Sequence, residues 1–182
     1  DGTVDVTFVF DGSALEDTLL VAFETLYTEE KEVGIHAEIE DDAQTVYLPK
    51  IRTNAKDGIT DIDHTEALEK ATIIDTVSYS SLLPGKEYTV SGTLMNKKTG
   101  EAVLIDGKLI TASTTFTAEK AEGSVDIVFE FDASAIAGTT VVAFESMEYK
   151  GIEVAVHADI EDENQPVYIP DVHTTATATD TE

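Results

Sequence analysis

Ala71-Thr72-Ile73-Ile74-Asp75-Thr76-Val77-Ser78-Tyr79 carries mostly apolar residues at its odd positions and mostly polar ones at its even positions. A period of two is the mark of a half-buried β-strand, because successive side chains of a strand leave opposite faces of the sheet. Leu83-Pro84-Gly85-Lys86 follows as a turn. The same reading predicts strands over 87–95, 102–105, 109–116, 124–131, 139–147, 152–160 and 166–169, with Asn96-Lys97-Lys98-Thr99-Gly100 and Asp106-Gly107 as turns between them. The only helical candidate is the short stretch 66–70. Many short strands punctuated by glycine, asparagine and aspartate predict an all-β fold, an antiparallel β-sandwich.

The text also repeats. Residues 2–57 recur without a gap at 123–178: Val21-Ala22-Phe23-Glu24, His36 and Gln44 return as Val142-Ala143-Phe144-Glu145, His157 and Gln165, at a constant shift of 121 residues. A period of that size suits one domain per repeat. The expected organisation is therefore tandem: residues 1–48 are the C-terminal part of a preceding repeat, 49–169 a complete one, and 170–182 the start of the next. The links Tyr47-Leu48-Pro49 and Tyr168-Ile169-Pro170 are short and stiffened by proline, so consecutive repeats should form a semi-rigid rod.

Composition narrows the functional classes. With 37 acidic against 11 basic residues the formal net charge is −26. Such a chain is repelled by nucleic acid and by anionic membrane surfaces, so neither is an expected partner. The chain has no cysteine. Extracellular domains commonly use disulfides, so an extracellular domain without them calls for some other covalent device. No apolar run approaches the length of a membrane span, and a signal peptide or anchor is expected outside this stretch.

Four polar residues break the alternation by standing in register with apolar neighbours. Asp75 aligns with Ile73 and Val77, Glu145 with Val141, Ala143 and Met147, Gln165 with Val167 and Ile169, and Thr53 with Ile51. Buried carboxyl groups must find partners or keep their protons, and these are expected to meet one another. His157 fits less well. Simple alternation puts Val154, Val156 and Ala158 on the opposite side, so His157 reaches the same place only if the strand end bulges or bends. In the incomplete repeats the equivalent positions are Glu24, His36, Gln44 and Thr174.

The Val-Ala-Phe-Glu stretch, the His-x7-Gln that follows it and the Thr strand after proline resemble the VaFE repeats of Gram-positive surface adhesins. So does Asp75 within Ile-Ile-Asp-Thr-Val-Ser-Tyr. The resemblance covers essentially all of residues 49–169. It implies an Ig-like, CnaB-like sandwich that ties itself together with an internal Thr–Gln ester. By that likeness Thr53 is the nucleophile, Gln165 the acyl partner, and Asp75, Glu145 and His157 the assisting groups. The resemblance also implies a wall-anchored, extracellular stalk whose partners are the neighbouring repeats of the same chain, with no cofactor and no metal.

The chemistry can be argued independently of that likeness. A threonine hydroxyl needs a base to attack an amide, and a neutral imidazole suits the task. Two carboxyl groups in an apolar site share a proton, and the protonated one can donate to the developing oxyanion. Which acid holds that proton, and whether Asp75 instead orients His157 as in a hydrolase triad, both stay open at this level. Two other classes are weighed. A ligand-binding module could take calcium through Asp57-Gly58-Ile59-Thr60-Asp61-Ile62-Asp63, although EF-hand spacing is missing. A hydrolase built on Thr53, His157 and Asp75 would need an open cleft and turnover. The half-repeats lack complementary residues, so neither is expected to close an ester of its own.

Overall fold

A computed structural model describes residues 2–177; residue 1 and residues 178–182, the end of the stretch expected to open a further repeat, lie outside the described residues. In the first segment the strands are β1 (Thr18–Val21), β2 (Glu24–Thr28), β3 (Lys31–His36) and β4 (Thr45–Leu48). The second segment contains β5 (Lys50–Asp57), β6 (Ala71–Ser80), β7 (Glu87–Asn96), β8 (Leu104–Ile105), β9 (Lys108–Leu109), β10 (Thr111–Thr117), β11 (Gly123–Phe131), β12 (Thr139–Tyr149), β13 (Ile152–His157) and β14 (Val167–Ile169). All paired strands are antiparallel.

Residues 50–169 form two facing sheets. One has the order β11-β6-β5, and the other β10-β7-β12-β13, with β14 also beside β12. The alternation read in β6 is real: Ile73, Val77 and Tyr79 point inward with Asp75 among them, and Ile127, Phe129, Leu94, Val141 and Met147 complete the core. Burying these side chains is worth roughly 1.5–3 kcal/mol each, which offsets the ordering of the strands. Turn chemistry agrees with geometry at the 96–100 hairpin. There Asn96 Oδ1 accepts the Lys98 and Thr99 N–H groups, and Gly100 adopts φ +70°.

β12 is bordered on one side by two strands in succession. Its start pairs with β14 (Thr139↔Ile169 to Val141↔Val167) and its later part with β13 (Glu145↔His157 to Tyr149↔Ile152). Between them the chain leaves the sheet edge and returns, and Gln165 lies on that return.

Three expectations are corrected. Residues 66–70 form no helix, because five residues cannot nucleate one and the Leu68 carbonyl is taken by the Ala133 and Ser134 N–H groups. The strand expected over 102–105 shrinks to Leu104–Ile105, with Ala102 held by a single bridge to Met95. The strand expected over 152–160 ends at His157, and its inward face differs from the one simple alternation assigns. Val156 is exposed, and Val154 is an extra residue between the Met147↔Ala155 and Glu148↔Glu153 pairs. This bulge resets the phase, so Ala155 and His157 turn inward.

Residues 2–48 keep the local pairings of their counterparts, with Thr18↔Leu48 and Glu24↔His36 in the same register as Thr139↔Ile169 and Glu145↔His157. They lack the facing sheet. Val6, Phe8 and Phe10 are 60%, 60% and 51% exposed, whereas Ile127, Phe129 and Phe131 are 0%, 0% and 8% exposed. The segment meets the sandwich through Glu16, 3.2 Å from Lys50 Nζ, and through Ser81, whose hydroxyl donates to Asp17 Oδ1 at 3.1 Å.

Candidate cross-linking site

Each sheet contributes to one buried polar cluster. From the β11-β6-β5 sheet come Thr53, opposite Val77, and Asp75, opposite Ala55. Thr53 and Asp75 are thus diagonal neighbours on the inward face. From the other sheet come Glu145 and His157, directly opposite one another across β12 and β13. Gln165 arrives on the return segment ahead of β14, where the Ala55 N–H donates to the Asn164 carbonyl at 3.3 Å. That bond fastens the residue before Gln165 to β5, two residues along from Thr53. Thr53 is 6% exposed, Asp75 and Gln165 0%, and Glu145 2%. Two carboxyl groups, an amide and a hydroxyl are therefore sealed from water.

Hydrogen-bond accounting picks out these residues and no others. Among the described residues the buried side-chain polar atoms without a hydrogen bond are Thr53 Oγ1, both oxygens of Asp75 and of Glu145, His157 Nε2, and both amide atoms of Gln165. Leaving one such group unmade costs on the order of 1–3 kcal/mol, so a concentration of them marks a site built for something other than stability. Two facing carboxylates are acceptors only, and a bond forms between them once one is protonated. Burial, then the charge of Asp75, pushes Glu145 up to about 10. Burial also raises Asp75, against the opposing effects of a hydrogen bond from Glu145 and the charge of His157. Both acids are thus pushed toward their protonated forms, and a proton held between them, as Glu145 can hold one at neutral pH, lets one donate to the other.

A sixth residue belongs to the cluster. Asp162 Oδ2 lies 3.0 Å from His157 Nε2, and both side chains are largely buried. Nε2 makes no hydrogen bond there, so Asp162 acts on the imidazole through the nearness of its charge. Burial alone would raise Asp162. Hydrogen bonds from the Asn164 backbone and side chain, with His157, outweigh it and keep this carboxyl below its ordinary range. The signal was present in the repeat: Asp41 stands five residues after His36 as Asp162 does after His157, and Asp41 Oδ2 lies 3.1 Å from His36 Nε2.

Among the described residues, 2–48 and 170–177 assemble nothing comparable. Glu24 and His36 approach to 3.7 Å, but on an exposed hairpin. Gln44 lies in a short 3-10 turn beside it, and Thr174 is exposed and in no strand. The acidic loop after β5 is committed elsewhere. Asp57 accepts from Thr65 Oγ1, Thr60 Oγ1, and the Thr60 and Ile59 N–H groups, while Asp61 pairs with Lys56 and Asp63 with His64. Those carboxylates do not converge on a point where a calcium ion could sit.

A family model described as T-Q ester bond containing domain matches residues 1–48 and 49–169. Among solved structures, the chain is similar to a bacterial adhesin from Mobiluncus mulieris containing intramolecular disulfide, isopeptide and ester bond cross-links. The identity is 18% and the TM-score 0.53, covering 68% of this chain and 58% of that one. A second crystal form of the same adhesin gives 17% identity and the same TM-score. The chain thus spans a little over half of that molecule, and at this identity the likeness speaks for the Ig-like fold. A β-galactosidase from Bacteroides fragilis, at 12% identity and a TM-score of 0.46, is similar over 69% of this chain and 18% of its own. No curated protein sequence matches.

Proposed function

This chain belongs to the family of T-Q ester bond containing domains, and from that membership we propose that residues 49–169 close an ester between Thr53 Oγ1 and Gln165 Cδ without any external catalyst. The observation that carries the assignment is the set of unbonded buried atoms, all of which lie on the two reactants and the three groups that would assist them.

His157, paired with Asp162, takes the Thr53 proton as the hydroxyl oxygen attacks Gln165 Cδ. The carbonyl π electrons move onto oxygen, and the proton on Glu145 stabilises that charge, with Asp75 holding Glu145 in place. The tetrahedral adduct collapses by breaking the Cδ–N bond. His157 returns its proton to the departing nitrogen, ammonia leaves, and the ester remains. Folding supplies proximity, which in model systems is worth effective molarities of about 10⁵ M or more. Each chain reacts once, so this is self-modification and not turnover.

The bond would join the first strand of the sandwich to the return segment before the last, so that pulling force runs through covalent bonds. This suits a stalk module of an extracellular, wall-anchored adhesin, held between neighbouring repeats. The ester cross-links named for the Mobiluncus adhesin support that setting. Intact mass tests it. The purified chain should weigh one ammonia less than its sequence, and Thr53→Ala should restore the full mass; a full mass for the unaltered chain would end the proposal.

A further inference from the structure

Gly92 and Glu145 are direct partners across the β7–β12 pair. Side chains of such partners leave the same face about 4.5–5.5 Å apart, so residue 92 owns the slot beside the Glu145 stem. That slot is filled from the opposite sheet. A Cβ on Gly92 would stand 2.6 Å from Phe129 Cζ and 3.5 Å from Ile127 Cδ1, closer to the ring than carbon atoms approach. Ile127 is the register partner of Asp75, and Phe129 lies two residues further along β11; both are fully buried. The acid pair therefore has an apolar wall made by one strand, with Ile127 against Asp75 and the Phe129 ring in the vacancy next to Glu145.

We propose that Phe129, seated over Gly92, is a positioning residue for the cross-linking reaction: it keeps water off the Glu145–Asp75 pair, so that Glu145 retains the proton it offers to the Gln165 carbonyl. This rests on the ester reading above. The groups that face Glu145 from the elements packed around it are Asp75 and Thr53 on the facing sheet and Asp162 beyond β13, with His157 its register partner on β13. β7 brings no titratable group to that side, since its inward residues there are Val90, Gly92 and Leu94. Desolvation is the largest influence on Glu145, and among its neighbours the apolar wall supplies it without adding charge. The first segment gives an internal contrast, since Phe8, the counterpart of Phe129, is 60% exposed and Glu24 is left in an open hairpin.

The test follows ammonia loss by intact mass after unfolded chain is diluted from denaturant into buffers across a pH series. Phe129→Leu should admit water and move the alkaline limb of the rate profile down by about one pH unit or more. Gly92→Ala, which displaces the ring, should do the same. Phe129→Met, which refills the slot with a flexible apolar side chain, should keep most of the wild-type profile, and Gly92→Ala serves if the leucine variant does not fold. Ile110→Val, which trims a partly buried side chain between β9 and β10, should lower stability and leave the profile in place. A profile unmoved in Phe129→Leu and in Gly92→Ala overturns the inference. Full mass for the unaltered chain would instead overturn the ester reading itself.

Discussion

Asp162 and His157 are joined at 3.0 Å between Oδ2 and Nε2, while Asp162 Oδ1 accepts the Asn164 N–H at 2.8 Å. One carboxylate thus orients the imidazole and holds the turn that delivers Gln165. Losing a carboxylate that orients a catalytic imidazole costs on the order of 10²–10⁴ in rate in hydrolases that share this logic.

Asp162→Asn should accordingly slow ester closure by about 10²–10⁴-fold while leaving the sandwich folded. The half-time of ammonia loss on refolding reads this. An unchanged half-time would mean that some other group orients His157.

Cross-linking should also appear as stability. The ester closes a loop of about 112 residues, which by the chain-entropy account is worth roughly 4–5 kcal/mol. Thr53→Ala should therefore lose about that much in chemical denaturation relative to the reacted chain. A loss under about 1 kcal/mol would show that the loop is already restrained in the unfolded ensemble.

The unreacted domain should respond to pH through the acid pair. Glu145, raised to about 10 from an ordinary value of 4.5, binds a proton in the folded chain that the unfolded chain releases. Its stabilising contribution is complete below 4.5 and is lost as pH climbs toward 10. Asp75, also raised, acts in the same direction. Asp162, held below 3.8, acts oppositely and only at the acid end. Thr53→Ala should thus weaken steadily between about pH 5 and pH 9, and adding Glu145→Gln should flatten the slope. A slope unaffected by Glu145→Gln would place the titration elsewhere.

The two copies of the motif should behave differently. Gln44 faces no threonine strand, so Gln44→Ala should leave the one-ammonia loss intact, whereas Gln165→Ala should abolish it. Peptide mapping should find the Thr53 peptide joined to the Gln165 peptide. Thr174 should be recovered unmodified.

Much of this was readable from local text, because strand alternation and turn chemistry are near-neighbour properties. The period of two in 71–79, the repeat at a shift of 121 residues, and the four polar residues standing among apolar ones all follow from side chains a few positions apart. His157 was harder. Its orientation depends on Val154 being an extra residue against β12, and a bulge is set by the partner strand, not by the strand that carries it. Asp162 escaped notice for a related reason: it lies in a loop, where no periodicity marks an inward side chain.

The chain's own order of residues sufficed for the class of fold, the repeat and the candidate reactants. Packing two sheets together settled the rest. Val-Ala-Phe-Glu, His and Gln occur twice with the same spacing and the same hairpin registers, yet only the second set is buried. Desolvation is a property of the facing sheet. Without counterparts of β5 and β6 over it and of β7 beside it, Glu24 stays in an exposed hairpin, whereas Glu145, enclosed beside Asp75, keeps a proton to offer.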